Sequence, residues 1–128
     1  MQRETREWVK KAESDVNSAR ELAKTKKPGL HDVICFHGQQ AAEKYQKALL
    51  QELSLSIPHT HDLDDLLDLL LPHEATLHSL RRGMHFLTQF AVDYRYPGEN
   101  ATKRQAEAAL RWVERVRHAL RTRLGLKP

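Results

Sequence analysis

A chain of 128 residues, 40% hydrophobic and 30% charged, has the length of one domain and the composition of a soluble globular fold. Its one cysteine, Cys35, excludes an intrachain disulfide and a multi-cysteine metal centre, and points to a reducing compartment such as the cytoplasm. The net charge of +4 is too small to dictate a partner by itself.

Helical periodicity dominates the chain, and no alternating strand pattern stands out. The first residues, Met1 to Glu7, lack the apolar stretch of a signal peptide. From about Thr5 to Lys24, Trp8, Ala12, Val16, Ala19 and Ala23 recur at steps of three and four and make one apolar stripe. Pro28-Gly29 ends that helix. A second helix is predicted from about Leu30 to Leu53, with Ile34, Ala41, Tyr45, Ala48 and Leu49 as its stripe. Gly38 lies on that side. A mid-helix glycine costs about 1 kcal/mol relative to alanine, so close approach of another helix is expected there. Cys35 reads as a small buried hydrophobe.

Residues 54–60 form a loop around Pro58, and Asp62 follows as the N-cap of a short helix. Leu63, Leu66, Leu67 and Leu70 are its buried side, while Asp64 and Asp65 suit the positive end of its dipole. The run Leu66–Leu71 is too short for a membrane span, and Asp68 and Pro72 interrupt it. A fourth helix is predicted from Glu74 to Ala91, with Leu77, Leu80, Met84, Leu87 and Ala91 inward and His78, Arg82 and His85 outward. Pro97-Gly98 is a turn. A last helix from Thr102 to Leu124 turns Ala106, Ala109, Leu110, Val113, Val116 and Leu120 inward, with Gly125 as its stop. The expected architecture is all-α: one domain over residues 1–128, an up-and-down bundle of four long helices and one short helix.

Charge is unevenly spread along these elements. Residues 1–27 hold eight Lys/Arg against five Asp/Glu, residues 28–80 two against eight, and residues 81–128 eleven against four. The asymmetry permits a nucleic-acid or phosphate partner. It equally permits attraction between the ends and the middle, within the fold or across a dimer.

No phosphate loop, helical zinc motif or nucleophile elbow is present. His59-Thr60-His61 offers at most two ligands and is a weak metal motif. Two features invite a functional reading. Gln39-Gln40-Ala41-Ala42-Glu43-Lys44 is a polar cluster in mid-helix, with Gln39 and Glu43 on one face and Gln40 and Lys44 on another. A solvated or interface face is the plain alternative. Arg95 stands between Tyr94 and Tyr96 and is followed by Pro97, an arrangement suited to phosphate or base recognition, or to a structural bridge with an acid such as Asp15.

The same residues carry a family resemblance. Trp8-x3-Ala12-x2-Asp15-Val16-x2-Ala19 is followed by Phe36-x2-Gln39-Gln40-Ala41-Ala42-Glu43-Lys44-x3-Ala48-Leu49. Thr60-His61-Asp62-Leu63, then Arg95-Tyr96-Pro97, then an alanine-rich basic last helix complete the series. In this order, over nearly the whole chain, they resemble the HEPN domain (the higher-eukaryote and prokaryote nucleotide-binding domain). The resemblance implies an all-α bundle that pairs as a homodimer. It implies action beside a minimal nucleotidyltransferase in a toxin–antitoxin-like pair, and binding of that partner or of a nucleotide. No cofactor, metal, membrane or DNA is expected. Gln39, Gln40, Glu43, Lys44, His61, Asp62 and Arg95 are the expected binding residues. Because one domain fills the chain, nucleotidyl transfer itself is expected of another polypeptide.

Other members of the family are metal-independent ribonucleases that use an Arg-x(4–6)-His motif. No histidine follows Arg95 at that spacing, and Arg81 to His85 leaves three residues between. Arg111 and His118 fit with six between, but Trp112 stands where active members carry a polar residue. The sequence therefore reads as a non-catalytic binding protein. One alternative is a ribonuclease in which His118 is the general base for a 2′-hydroxyl and Arg111 stabilises phosphate charge. The other is simple RNA or nucleotide binding by the basic last helix.

Overall fold

Stripes of apolar residues at helical spacing need partners, and here they find them in one another. The computed structural model describes residues 1–91 and 96–128. Among the described residues, five α-helices follow in order: α1 (Arg3–Thr25), α2 (His31–Glu52), α3 (Leu63–Leu70), α4 (Arg81–Thr88) and α5 (Lys103–Arg123). A 3-10 helix, Ala75–Leu80, leads into α4.

Contacts between helix ends give the directions. Glu52 at the end of α2 accepts hydrogen bonds from the Gln2 amide and the Thr5 hydroxyl at 2.9 Å each, so α2 runs back along α1. Asp32 at the start of α2 accepts from the Ala101 amide at 2.6 Å, just before α5, so α5 is parallel to α2. The last helix also runs antiparallel to α4, because Trp112 lies against Gly83 and Arg123 pairs with Glu74 at 3.2 Å. The four main helical stretches thus alternate, as the stripes predict, and α3 is the short addition.

The central helix is α2. It packs against α1, α3, α4 and α5. Its Tyr45, Ala48, Leu49 and Leu50 sit in the core with Val16, Leu66, Met84 and Leu120. Gly38 has the role its position predicts. A Cβ there would lie 3.0 Å from Val113 Cγ2 and 3.7 Å from Ala109 Cβ, so α5 crosses α2 at the glycine. Cys35 is fully buried.

Element ends follow local chemistry. At α1, Lys26 adopts a left-handed conformation (φ 54°) and Gly29 follows at φ 85°. Asp62 caps α3 through its Oδ1, which accepts from the Asp64 amide at 2.9 Å. Thr102 and Gln105 form a reciprocal capping box at the start of α5. At the other end of that helix, Gly125 has φ 76° and closes it as expected.

The fourth helix departs from the prediction. Residues 75–80 wind as 3-10, and α-helix begins only at Arg81. The inward residues Leu77 and Leu80 are three apart, which suits three residues per turn. Steps of four and three follow at Met84 and Leu87. The helix stops at Thr88 rather than Ala91. There the Thr88 hydroxyl donates to the Met84 carbonyl at 2.8 Å and accepts from the Leu63 amide at 3.0 Å, tying α4 to the start of α3. Phe90 just beyond is buried although the stripe omits it.

Candidate functional site

The loop between α2 and α3 retraces α2, and this return brings the two sequence signatures together. The Gln39 side chain donates to the His61 carbonyl at 2.8 Å. Glu43 Oε1 lies 2.9 Å from His61 Nδ1. Gln39 and Glu43 are therefore not a solvated face: they are 0% and 4% exposed. Lys47, one turn further on, donates to Glu43 Oε2 at 3.0 Å, and Gln39 donates to Oε1 at 3.2 Å. Lys47 also lies over the Trp8 ring.

The balance at Glu43 follows from these partners. Burial pushes its carboxyl up, but hydrogen bonds from His61, Lys47 and Gln39 outweigh burial and hold it below the ordinary glutamate value. A buried carboxylate with three donors remains charged. It orients His61 by Nδ1 and directs Nε2 outward, where the imidazole side chain is 69% exposed. Asp62 next to it is committed to the α3 cap, and its amide donates to the Thr60 hydroxyl at 3.1 Å.

Gln40 and Lys44 form the outer edge of the same helix. Gln40 donates to Gln39 Oε1 at 2.7 Å. Lys44 pairs with Asp15 of α1 at 2.6 Å, and His37 Nδ1 meets the other oxygen of Asp15 at 2.9 Å. Burial raises the Asp15 carboxyl, and hydrogen bonds from His37 and Lys44 more than reverse this, leaving it lowered. His37, Gln40 and Lys44 are three and four residues apart and share one stripe beside the exposed ring of His61.

The sequence reading missed His37 and Lys47. Their helical register was the available signal: Lys47 is one turn from Glu43, and His37 is three residues before Gln40. Arg95 lies outside the described residues. Asp15, offered as a structural partner for it, is held by His37 and Lys44.

A second polar layer joins α1, α2 and α5. Arg117 grips Glu13 through two hydrogen bonds of 2.8 and 2.9 Å, and the Tyr45 hydroxyl donates to the same carboxylate. Burial and the Glu13 hydrogen bond push the Tyr45 phenol up to about 12. Arg20 and Glu114 make a further two-pronged pair. In the acidic middle of the chain, Asp64 and Asp68 pair with Arg81, and Glu74 with Arg123. Part of the charge asymmetry is thus neutralised within the fold.

Arg104, Arg111 and Arg115 of α5 differ: all are exposed, and none has a carboxylate at ion-pairing distance among the described residues. Arg115 instead lies over the Trp112 ring, 5.0 Å from its centre. His118 borders a shallow groove with Ser79, Trp112 and Arg115. Arg111 does not border it and is separated from His118 by about 10 Å along the axis. Among the described residues, no group of three or more His, Cys, Asp or Glu is arranged to hold a metal ion. Among them, too, no helix is long and apolar enough to cross a membrane.

The family model of the HEPN domain matches residues 5–123. Two crystal structures share the fold. An archaeal HEPN homologue, ST0689, is 26% identical with a TM-score of 0.73, over 96% of this chain and 98% of its own. TT1696 from Thermus thermophilus is also 26% identical with a TM-score of 0.76, over 94% of this chain and 98% of its own. No curated protein matches the chain. With the polar signature of α2, its docked Thr-His-Asp-Leu loop and a family match across all five helices, the chain belongs to the HEPN domain family.

Proposed function

We propose that this protein is a non-catalytic binding component, a homodimer that engages a minimal nucleotidyltransferase as one half of a toxin–antitoxin-like pair. The observation that carries this reading is the half-buried stripe His37–Gln40–Lys44 together with the exposed ring of His61. Its inner side is clamped by Glu43 and Asp15, so outward polar groups are held on a rigid backing at little further entropic cost. Such an edge suits docking of a polar partner surface. The buried members, Gln39 and Glu43, set its geometry, and Asp62 secures the loop that presents His61.

The test is co-expression with a minimal nucleotidyltransferase, followed by titration calorimetry of the purified pair. Binding near micromolar affinity is expected, with a tenfold or greater loss for the double variant Gln40→Ala, His61→Ala that retains its circular dichroism. No association at tens of micromolar would remove the reading. If ATP binds instead, and the same variant abolishes that binding, the edge serves a nucleotide rather than a protein.

The exposed arginines of α5 that make no ion pair among the described residues favour a second reading, in which Arg104, Arg111 and Arg115 bind RNA phosphates. Replacing all three with glutamine is then expected to flatten the salt dependence of RNA binding. The ribonuclease version further requires metal-free cleavage that His118→Ala and Arg111→Ala each abolish.

A further inference from the structure

One groove lies away from the polar edge, where the end of α1, the start of α2 and the start of α5 meet. Its volume is about 520 Å³, within the range of roughly 300–1,000 Å³ typical of small-molecule sites. The floor is apolar, built from Leu22, Ile34, Ala106 and Leu110. Lys26, Lys27 and Lys103 stand at the rim with His31, against one acid, Glu107. Among the described residues these three lysines make no ion pair, unlike Lys24, Lys44 and Lys47. The rim is therefore a concentrated positive charge over an apolar floor.

We infer that this groove binds a soluble, small amphiphilic anion: an apolar body with a carboxylate head, of the medium-chain acyl kind. The charge selects the sign of the head. The floor between Lys103 and Leu110 runs about 10 Å along α5, which accommodates a short acyl chain but not a docking helix of several turns. Apolar burial supplies the affinity, and the lysines orient the molecule with its head at the α1–α2 turn. The site is independent of the partner-binding edge and does not rest on that reading.

Decanoate is the direct probe, followed by methyl NMR at Leu22, Ile34 and Leu110 and by calorimetry. Saturable one-to-one binding is expected, at or below about 100 µM. Decanol, equal in length but neutral, should bind at least tenfold more weakly. Lys27→Glu, Lys103→Glu together should weaken decanoate at least tenfold, and raised salt should weaken it progressively. Leu110→Glu, at a half-buried position, gives a second variant in which the floor itself repels the probe. The inference is overturned by non-saturable shifts, by equal affinity for decanol, or by charge-reversed variants that bind as the wild type does. Binding to phosphatidylglycerol vesicles without binding to monomeric decanoate would also overturn it and assign the lysines to a membrane surface.

Discussion

At the scale of single residues, Glu43 shows how one buried charge organises a site. Its carboxylate faces Lys47, His61 and Gln39 at once, and Lys47 is nearly as buried as Glu43 itself. Removing one partner of a buried pair leaves the other uncompensated, at a cost of about 3–5 kcal/mol. Glu43→Ala is therefore expected to lower stability by about 3 kcal/mol, read from urea midpoints. The pair also sets a pH dependence. The folded-state pKa of Glu43 lies below its unfolded value of 4.5, so its contribution is complete above about pH 4.5 and is lost as pH falls through the folded value. Between pH 6 and pH 3, the stability gap between wild type and Glu43→Gln should shrink. A gap that stays constant would show that the charge has no part in it. Gly83 illustrates a steric requirement instead. A Cβ there would sit 2.2 Å from the Trp112 ring. Gly83→Ala should cost about 1–3 kcal/mol by overpacking. Trp112→Leu should relieve most of that added cost in a double-mutant cycle. Additive effects would contradict the contact.

At the scale of elements, α3 is held by three separate devices. Four fully buried leucines contribute about 2 kcal/mol each as an upper figure. Asp62 caps its first amides, and the Thr88 hydroxyl accepts from the Leu63 amide. Asp62→Ala should lower stability by about 1 kcal/mol and accelerate amide exchange at Asp64 and Asp65, with Asp62→Ser restoring both. Unchanged exchange at those two amides would mean that the cap is not what orders this turn. Periodicity made the α3 leucines and the Asp62 cap legible in the sequence. The split of the fourth helix was not legible, because a single spacing of three, Leu77 to Leu80, fits 3-10 and α-helix alike. Nor could spacing show that Gln39 and Glu43 turn inward: a polar side chain on a helix is normally solvated unless another segment comes to cover it.

At the scale of the whole molecule, the acidic middle and the basic C-terminal third meet within the fold through Glu74–Arg123, Asp64–Arg81 and Asp68–Arg81. The Asp15–Lys44 pair, an acid of the first segment with a base of the middle one, lies along the proposed docking edge. The proposed dimer should sediment at twice the 14.8 kDa of the chain at micromolar concentration, and a purely monomeric species would refute it. By itself the sequence determined the helices, their inward stripes, the approach at Gly38 and the family signature, because each depends on residues within a few turns of one another or on motif order. Only the tertiary structure decided that the loop after α2 folds back on it. That single return converts Gln39 and Glu43 from surface groups into the buried support of His61. The packing of α5 likewise separates its arginines into those bound by acids on other helices and those left facing solvent. Which charges are neutralised depends on partners about 100 residues away in sequence, such as Glu13 and Arg117, and no local pattern encodes such distances.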